Sequence, residues 1–168
     1  MTTKPIQAIN QKNWPEILTI QAEVYSEIEP ESLEVLRSKW QQSPDCCFVY
    51  LEKQDEQEGQ NILGYLLAHA WNSETAPKLY QTLPEGSRGS TLFLHDLAIS
   101  KYAAGRGIGT QMVKHLLDTA TTSGFEKALL VSVQDSVSFW QKHGFVEMTD
   151  QQANESYGED AKVMMRAL

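Results

Sequence analysis

The sequence predicts one domain of the α/β (α+β) class, a mixed sheet flanked by helices, and three observations carry that prediction. The chain has 168 residues, 41% hydrophobic and 21% charged, an ordinary globular composition long enough to bury about 70% of its unfolded surface. Strand-like runs rich in β-branched and aromatic residues take turns with stretches of helical spacing, and no internal repeat or Pro- or Ser-rich linker divides them. The strongest strand pattern, residues 91–99, leads through a short loop into a glycine-rich turn and an amphipathic helix.

Taken in order, residues 4–9 form a short first strand. Asn13 as a cap, Pro15 in the first turn, and Ile17, Ile20 and Val24 at helical spacing predict a first helix. A second follows, with Leu33, Leu36 and Trp40 on one face. Residues 46–52 and 62–69, rich in β-branched and aromatic side chains, pair as a hairpin across the polar loop 53–61. Residues 72–90 are long for a connection and contain Pro77, Pro84, Gly86 and Gly89. They are expected to hold one helical turn around 78–83 and to act as an acceptor-side lid. After strand 91–99, a helix begins near Gly107 with Ile108, Met112, Leu116 and Ala120 as its buried stripe, and Gly124 ends it. Residues 128–133 form a strand, 136–143 a short helix, and 145–148 and 162–168 the closing strands.

Composition also excludes partners. A net charge of −8 opposes a general electrostatic hold on nucleic acid or an anionic membrane. No apolar run reaches the length of a membrane span, and the first residues lack an apolar signal region, so a cytoplasmic location is expected. The two cysteines, Cys46 and Cys47, are adjacent and are expected to be buried thiols. No His, Cys and carboxylate set has metal-ligand spacing. One stretch departs from the acidic average: residues 97–117 carry Lys101, Arg106 and Lys114 and no acid, which suits a small anion.

That stretch holds Ala104, Gly105, Arg106, Gly107, Ile108, Gly109 and Thr110, with glycines at alternate positions where a strand hands over to a helix. Such a turn either uses glycine for positive φ or aims several backbone N–H groups at one anion, with the helix dipole behind them. The dinucleotide fingerprint fails, because the sixth position counted from Gly105 is Thr110. A phosphate-binding loop of the Walker type fails for want of Gly-Lys-Ser/Thr. A nucleotide oxidoreductase is therefore disfavoured.

Leu94-His95-Asp96-Leu97-Ala98-Ile99, then Gly105-Arg106-Gly107-Ile108-Gly109, then Phe139-Trp140-Gln141-Lys142-His143-Gly144-Phe145 resembles, in order and spacing, the GCN5-related N-acetyltransferases. The match covers residues 94 to 148. The resemblance implies a mixed, mostly antiparallel sheet splayed between its fourth and fifth strands, with acetyl-CoA in the opening. Its diphosphate would lie on the glycine turn, and its pantetheine against the backbone of Leu97, Ala98 and Ile99. Family members usually carry Arg or Gln where this chain has Ala104; Arg106 is positioned to replace part of that charge. An N–H on a splayed strand can donate to the oxyanion of a thioester under attack.

An amine acceptor with a pKa near 10 must lose a proton before it attacks. An unperturbed imidazole has the right basicity for that task, His95 lies on the strand that would flank the thioester, and arylalkylamine acetyltransferases, which this chain resembles in Leu-His-x-Leu-Ala, have a catalytic histidine there. The competing role for His95 is to hold the sheet. Asp96 should face the opposite side by strand alternation unless a bulge intervenes; it reads as a base or cation anchor, or as a plain hydrogen-bonding residue. Where the family often has a tyrosine to protonate the departing thiolate, this chain has Trp140, which walls the pantetheine beside Phe139 or packs in the core. His143 and Tyr65 are alternative acids. His69 and His115 read as structural. The expected activity is acetyl-CoA-dependent N-acetyl transfer to a primary amine of a small molecule, amino acid or peptide, with a homodimer the common assembly for enzymes of this size. The alternative is a non-catalytic acyl-CoA-binding or sensing module.

Overall fold

A computed structural model describes residues 4–52, 61–153 and 155–168. In chain order the elements are β1 (Ile6–Ala8), α1 (Trp14–Val24), α2 (Leu33–Gln42), β2 (Phe48–Leu51), β3 (Ile62–Trp71), β4 (Thr91–Ile99), α3 (Ile108–Thr122), β5 (Lys127–Ser132), α4 (Val137–Lys142), β6 (Val146–Glu147) and β7 (Lys162–Ala167), with short 3-10 turns between some of them. They form one seven-stranded sheet in the order β1-β2-β3-β4-β5-β7-β6. Every neighbouring pair is antiparallel except β4 with β5. The expected class and the expected mixed, mostly antiparallel sheet are what the chain adopts.

Alternation along β3 sorts the core into two layers. Leu66 and Ala68 face α3, whose stripe of Ile108, Met112, Leu116 and Ala120 is buried as the spacing predicts and is widened by Val113 and Leu117. Tyr65 and Leu67 face the other layer, against Trp14, Ile17 and Ile20 of α1 and Leu36 of α2. A smaller cluster of Trp71, Phe93, Leu129 and Val163 closes the far end of the sheet.

Three local expectations are corrected. Asn13 does not cap α1 with its side chain; it belongs to a preceding 3-10 turn and accepts a hydrogen bond from the Asn10 N–H. On α2, Leu36 is buried and Trp40 packs against the same core as expected, but Leu33 is exposed, and Val35 and Lys39 complete the buried face. Apolar spacing could not find the whole of that face because a lysine occupies part of it, its Nζ donating to Gln81 O at 3.0 Å. No helical turn forms within 78–83, where Tyr80 sits at φ 67, a left-handed conformation that breaks helical continuity. The segment is stitched to α2 instead, through Lys39, Ser38 and Gln42. Of the expected hairpin loop 53–61, residues 53–60 lie outside the described residues. Cys46 and Cys47 are free and buried.

Candidate active site

Where β4 and β5 part, one strand edge is left bare. Their register runs from Thr91↔Lys127 to Leu94↔Leu130 and stops, whereas β4 stays paired with β3 as far as Gly64↔Ile99. Ser100 N–H donates to Leu63 O at 2.8 Å. Alternation along an antiparallel ladder therefore turns the N–H groups of Leu97 and Ile99 to the bare edge and that of Ala98 toward β3. The Leu97 carbonyl agrees, since it accepts from the Tyr25 hydroxyl at 3.2 Å rather than from β3. Of the three residues expected to offer backbone to a ligand, two have their amides on the open side and Ala98 does not.

The glycine turn sits beside that edge. Gly105 and Gly107 take φ of 81 and 73, and Gly107 is the residue at the head of α3. Left-handed backbone at these two positions bends the chain so that the first N–H groups of α3, from Ile108, Gly109 and Thr110, precede any intrahelical partner and point outward. Ala104 through Gly107 are exposed, while Ile108 is buried as the anchor. A Cβ added to Gly109 would lie 3.5 Å from the Phe139 ring and 3.8 Å from Leu97 Cδ2. The three motifs that lie far apart in the sequence thus converge here. The Arg106 guanidinium stacks 5.3 Å from the Tyr102 ring centre at the surface. Trp140 is packed in the core beside Phe139 and Phe145, so it contributes packing and Phe139 is the aromatic nearer the turn.

Between β3 and β4 the register jumps from Leu67↔Asp96 to Ala68↔Leu94, leaving His95 as an extra residue. This bulge cancels simple alternation, and His95 and Asp96, expected on opposite faces, line the same cavity. Asp96 is clamped: Oδ1 accepts from the Tyr25 hydroxyl at 2.7 Å and Oδ2 from the Tyr65 hydroxyl at 2.5 Å. Burial raises its carboxyl above the ordinary range despite these donors and the nearby His95. The same burial, reinforced by Asp96, raises both phenols well above their usual value. Tyr65, one alternative acid, is therefore a poor proton donor; the other, His143, lies at the end of α4 with its imidazole lowered by burial and by Lys114 and Arg166.

The partner of His95 is Glu31, in the link between α1 and α2, at 2.7 Å from Nε2 to Oε1. Glu31 is itself fixed: Oε2 accepts from the Tyr80 N–H at 3.0 Å, and its backbone exchanges two hydrogen bonds with the Gln21 side chain. Burial raises the Glu31 carboxyl, but the charge and hydrogen bond of His95, with Lys39 and Tyr80 helping, outweigh it and hold the group at about 2. Glu31 is thus an anion that accepts a hydrogen bond from Nε2–H. His95 Nδ1 is left buried without a partner among the described residues. Sequence reasoning missed Glu31, because Glu27, Glu29 and Glu31 alternate around Pro30 and nothing in that pattern says which one turns inward.

The cavity that these residues line has a volume of about 380 Å³. Tyr25, Tyr80 and Tyr157 supply aromatic walls and Ile28, Leu79 and Val131 apolar ones. Its acids are Glu29, Glu31, Asp96, Glu155, Glu159 and Asp160, and His95 is its basic side chain. Leu79 and Tyr80 come from segment 72–90. Among the described residues no group of three or more His, Cys, Asp or Glu is placed to hold a metal ion, and no helix is long and apolar enough to cross a membrane.

A family model described as the acetyltransferase (GNAT) family matches residues 14–145. No curated protein matches the chain by sequence. Among solved structures, the loading GNATL domain of CurA from Lyngbya majuscula superposes with a TM-score of 0.78 at 13% identity, covering 96% of both chains. The ribosomal-protein-S18-alanine N-acetyltransferase from Escherichia coli gives a TM-score of 0.68 at 16% identity over 99% of this chain and 94% of its own. Arabidopsis thaliana Naa50, in complex with the bisubstrate analogue CoA-Ac-MVNAL, gives 0.67 at 12% identity over 97% of each. At such identities the likeness is one of fold.

Proposed function

The chain belongs to the acetyltransferase (GNAT) family, and from that premise we propose that it moves an acetyl group from acetyl-CoA to the primary amine of a small cationic acceptor by direct attack. The observation that carries this reading is the bare edge of β4 meeting the glycine turn, two sets of unpaired amides aimed into one opening. The first turn of α3 and Arg106 suit the coenzyme's diphosphate. The outward amides of Leu97 and Ile99 suit its pantetheine and the oxyanion of the reacting thioester. The Naa50 structure, which joins CoA to a peptide in one ligand, supports a fold that seats both partners at once.

Acceptor and coenzyme meet where the cavity opens beside His95. The amine nitrogen attacks the thioester carbonyl carbon, the C–S bond breaks, and the coenzyme departs as a thiolate. A thiol of pKa about 8.5 leaves without full protonation, so no phenol is needed and solvent supplies its proton. The amine proton passes to His95 Nδ1, the nitrogen Glu31 leaves without a partner; because that atom is buried, it meets the amine only once an acceptor enters the cavity and the imidazole shifts toward it, and ionised Glu31 stabilises the imidazolium that forms. Asp96 acts as a positioning residue that fixes Tyr25 against the strand edge. The exposed carboxylates of Glu29, Glu155, Glu159 and Asp160 and the three tyrosines of the cavity favour a cationic acceptor through charge and cation–π attraction. Segment 72–90 forms the acceptor-side wall, and the reaction takes place in the cytoplasm.

A thiol-release assay with acetyl-CoA against a panel of diamines, monoamines, amino acids and peptides tests this. Release with amines, strongest for those carrying a second positive charge, is the expected result. Stabilisation by acetyl-CoA with no release from any acceptor would establish the binding-module alternative instead.

A further inference from the structure

Lys39, on the inward face of α2, is fully buried, and a buried ammonium is costly unless the fold holds it. Its Nζ donates to Gln81 O at 3.0 Å, which satisfies one N–H and supplies no opposite charge. Among the described residues the ion pairs are His95–Glu31 and Lys127–Glu74, so no carboxylate is in contact with Lys39.

The segment that receives Lys39 also receives Glu31. Gln81 takes the ammonium, and the N–H of the preceding Tyr80 donates to Glu31 Oε2 at 3.0 Å. Adjacent residues thus pin a buried cation and a buried anion to one stretch of chain. Burial lowers the Lys39 ammonium and Glu31 opposes the fall, while Lys39 joins His95 in holding Glu31 ionised against burial. On its other oxygen Glu31 meets His95 Nε2 at 2.7 Å, with the imidazole 1% exposed.

That arrangement bears on the resting charge of His95. An ionised carboxylate beside a buried imidazole favours a proton on it, and an imidazole that rests protonated cannot accept one from an amine. Most groups facing His95 push the same way: Asp96 of β4, held by Tyr25 and Tyr65, and the cavity acids Glu29, Glu155, Glu159 and Asp160. Tyr80 and Tyr157 add neutral phenols. His69 of β3 adds no charge, because burial holds its imidazole at about 3 although Nδ1 donates to the Ala70 carbonyl, and the charges of His95 and Lys39 add to the fall. No lysine or arginine lines the cavity, so among the described residues Lys39 is the permanent cation set against these acids.

We propose that Lys39 is a positioning residue for the base: its buried charge, balanced against Glu31, keeps His95 unprotonated and ready for the amine proton. The proposal rests on the transferase reading above for its purpose, whereas the charge coupling is a property of the resting protein and can be measured without catalysis.

Lys39→Gln keeps a donor for Gln81 O and removes the charge. In NMR titrations of the histidine-labelled full chain, with the His95 signal identified by its loss in His95→Gln, the His95 midpoint should rise by about one pH unit in Lys39→Gln and keep its wild-type value in Lys39→Arg. The acid limb of kcat/KM should move with it, so that activity one pH unit below the wild-type midpoint falls about tenfold. The profiles should meet on the alkaline plateau, whereas a purely structural role would lower activity at every pH. Lys39→Met, equal in length, is a second neutral variant. The wild type should show unprotonated His95 at about pH 7.5, and an imidazolium signal there overturns the proposal without any variant. An unmoved midpoint in a folded neutral variant overturns it with acetyl transfer left intact. A moved midpoint in a protein that releases no thiol with any amine would instead uphold the charge coupling and reject the transferase reading.

Discussion

The two sides of the opening are built from different materials. The side proposed for the coenzyme is backbone: the bare edge of β4, the left-handed glycines at 105 and 107, and the first amides of α3. The side proposed for the acceptor is side chains from three separate connections, Glu31 and Tyr25 from the link after α1, Tyr80 from segment 72–90, and Tyr157 from the stretch before β7. A backbone site is dictated by where glycine permits an unusual turn and where a strand loses its neighbour, and it tolerates much sequence change elsewhere. A side-chain site depends on which residues of a loop happen to turn inward. The same division explains how one fold can keep its donor while its acceptor varies.

Substitutions on the two sides should separate accordingly. The largest effect belongs to His95→Gln, which should lower kcat by about 10²- to 10⁴-fold in steady-state assays, the usual contribution of a general base. The deficit should shrink at high pH, where the amine loses its proton unaided. Coenzyme affinity should not change. An unaltered pH–rate profile would remove His95 from the mechanism.

Glu31 comes next. Its carboxyl is near 2 in the folded chain against an ordinary 4.5, so it contributes stability above the unfolded value, and that contribution is lost as pH falls from about 4.5 toward 2. The difference amounts to roughly 3 kcal/mol. Denaturant melts of the wild type should therefore weaken across that window, and those of Glu31→Gln should weaken less. Tyr65→Phe removes one donor from buried Asp96 and should cost about 1–3 kcal/mol of stability, read as a lower melting temperature.

On the coenzyme side, Gly107→Ala meets no atom within 4 Å, so its cost is conformational, about 1–2 kcal/mol for holding alanine at φ 73. Calorimetry should show several-fold weaker acetyl-CoA binding with the acceptor KM unchanged. The smallest effect concerns Cys46, pushed up to about 11 by burial and by Asp45. In native protein at pH 8 it should resist alkylation, and Cys46→Ser should leave both substrates' KM values as they were.

The difference in materials also decides what could be read from the sequence. The β4 strand was legible to the residue, 91–99, because a short, mostly apolar run there is bounded by turn residues on both sides. The α3 stripe was legible because its apolar spacing is regular, and the glycine turn because glycines at alternate positions have few other uses. The bulge at His95 left no trace, since it arises from how β3 and β4 pair across the sheet rather than from either strand alone. Glu31 was invisible among its neighbours, and buried Lys39 contradicted the apolar rule that located the rest of the core. Tyr80 concealed itself in the same way: a tyrosine at positive φ is held there by hydrogen bonds to Glu31 and Glu29, which only the folded chain reveals.

The most direct measurement is an amide NMR titration with CoA. The account predicts that the resonances of Leu97, Ile99, Ile108, Gly109 and Thr110 shift together and saturate at one affinity, with Ala98 much less affected because its amide is paired with β3. Shifts confined to other residues, with the β4 edge and the start of α3 unmoved, would contradict it.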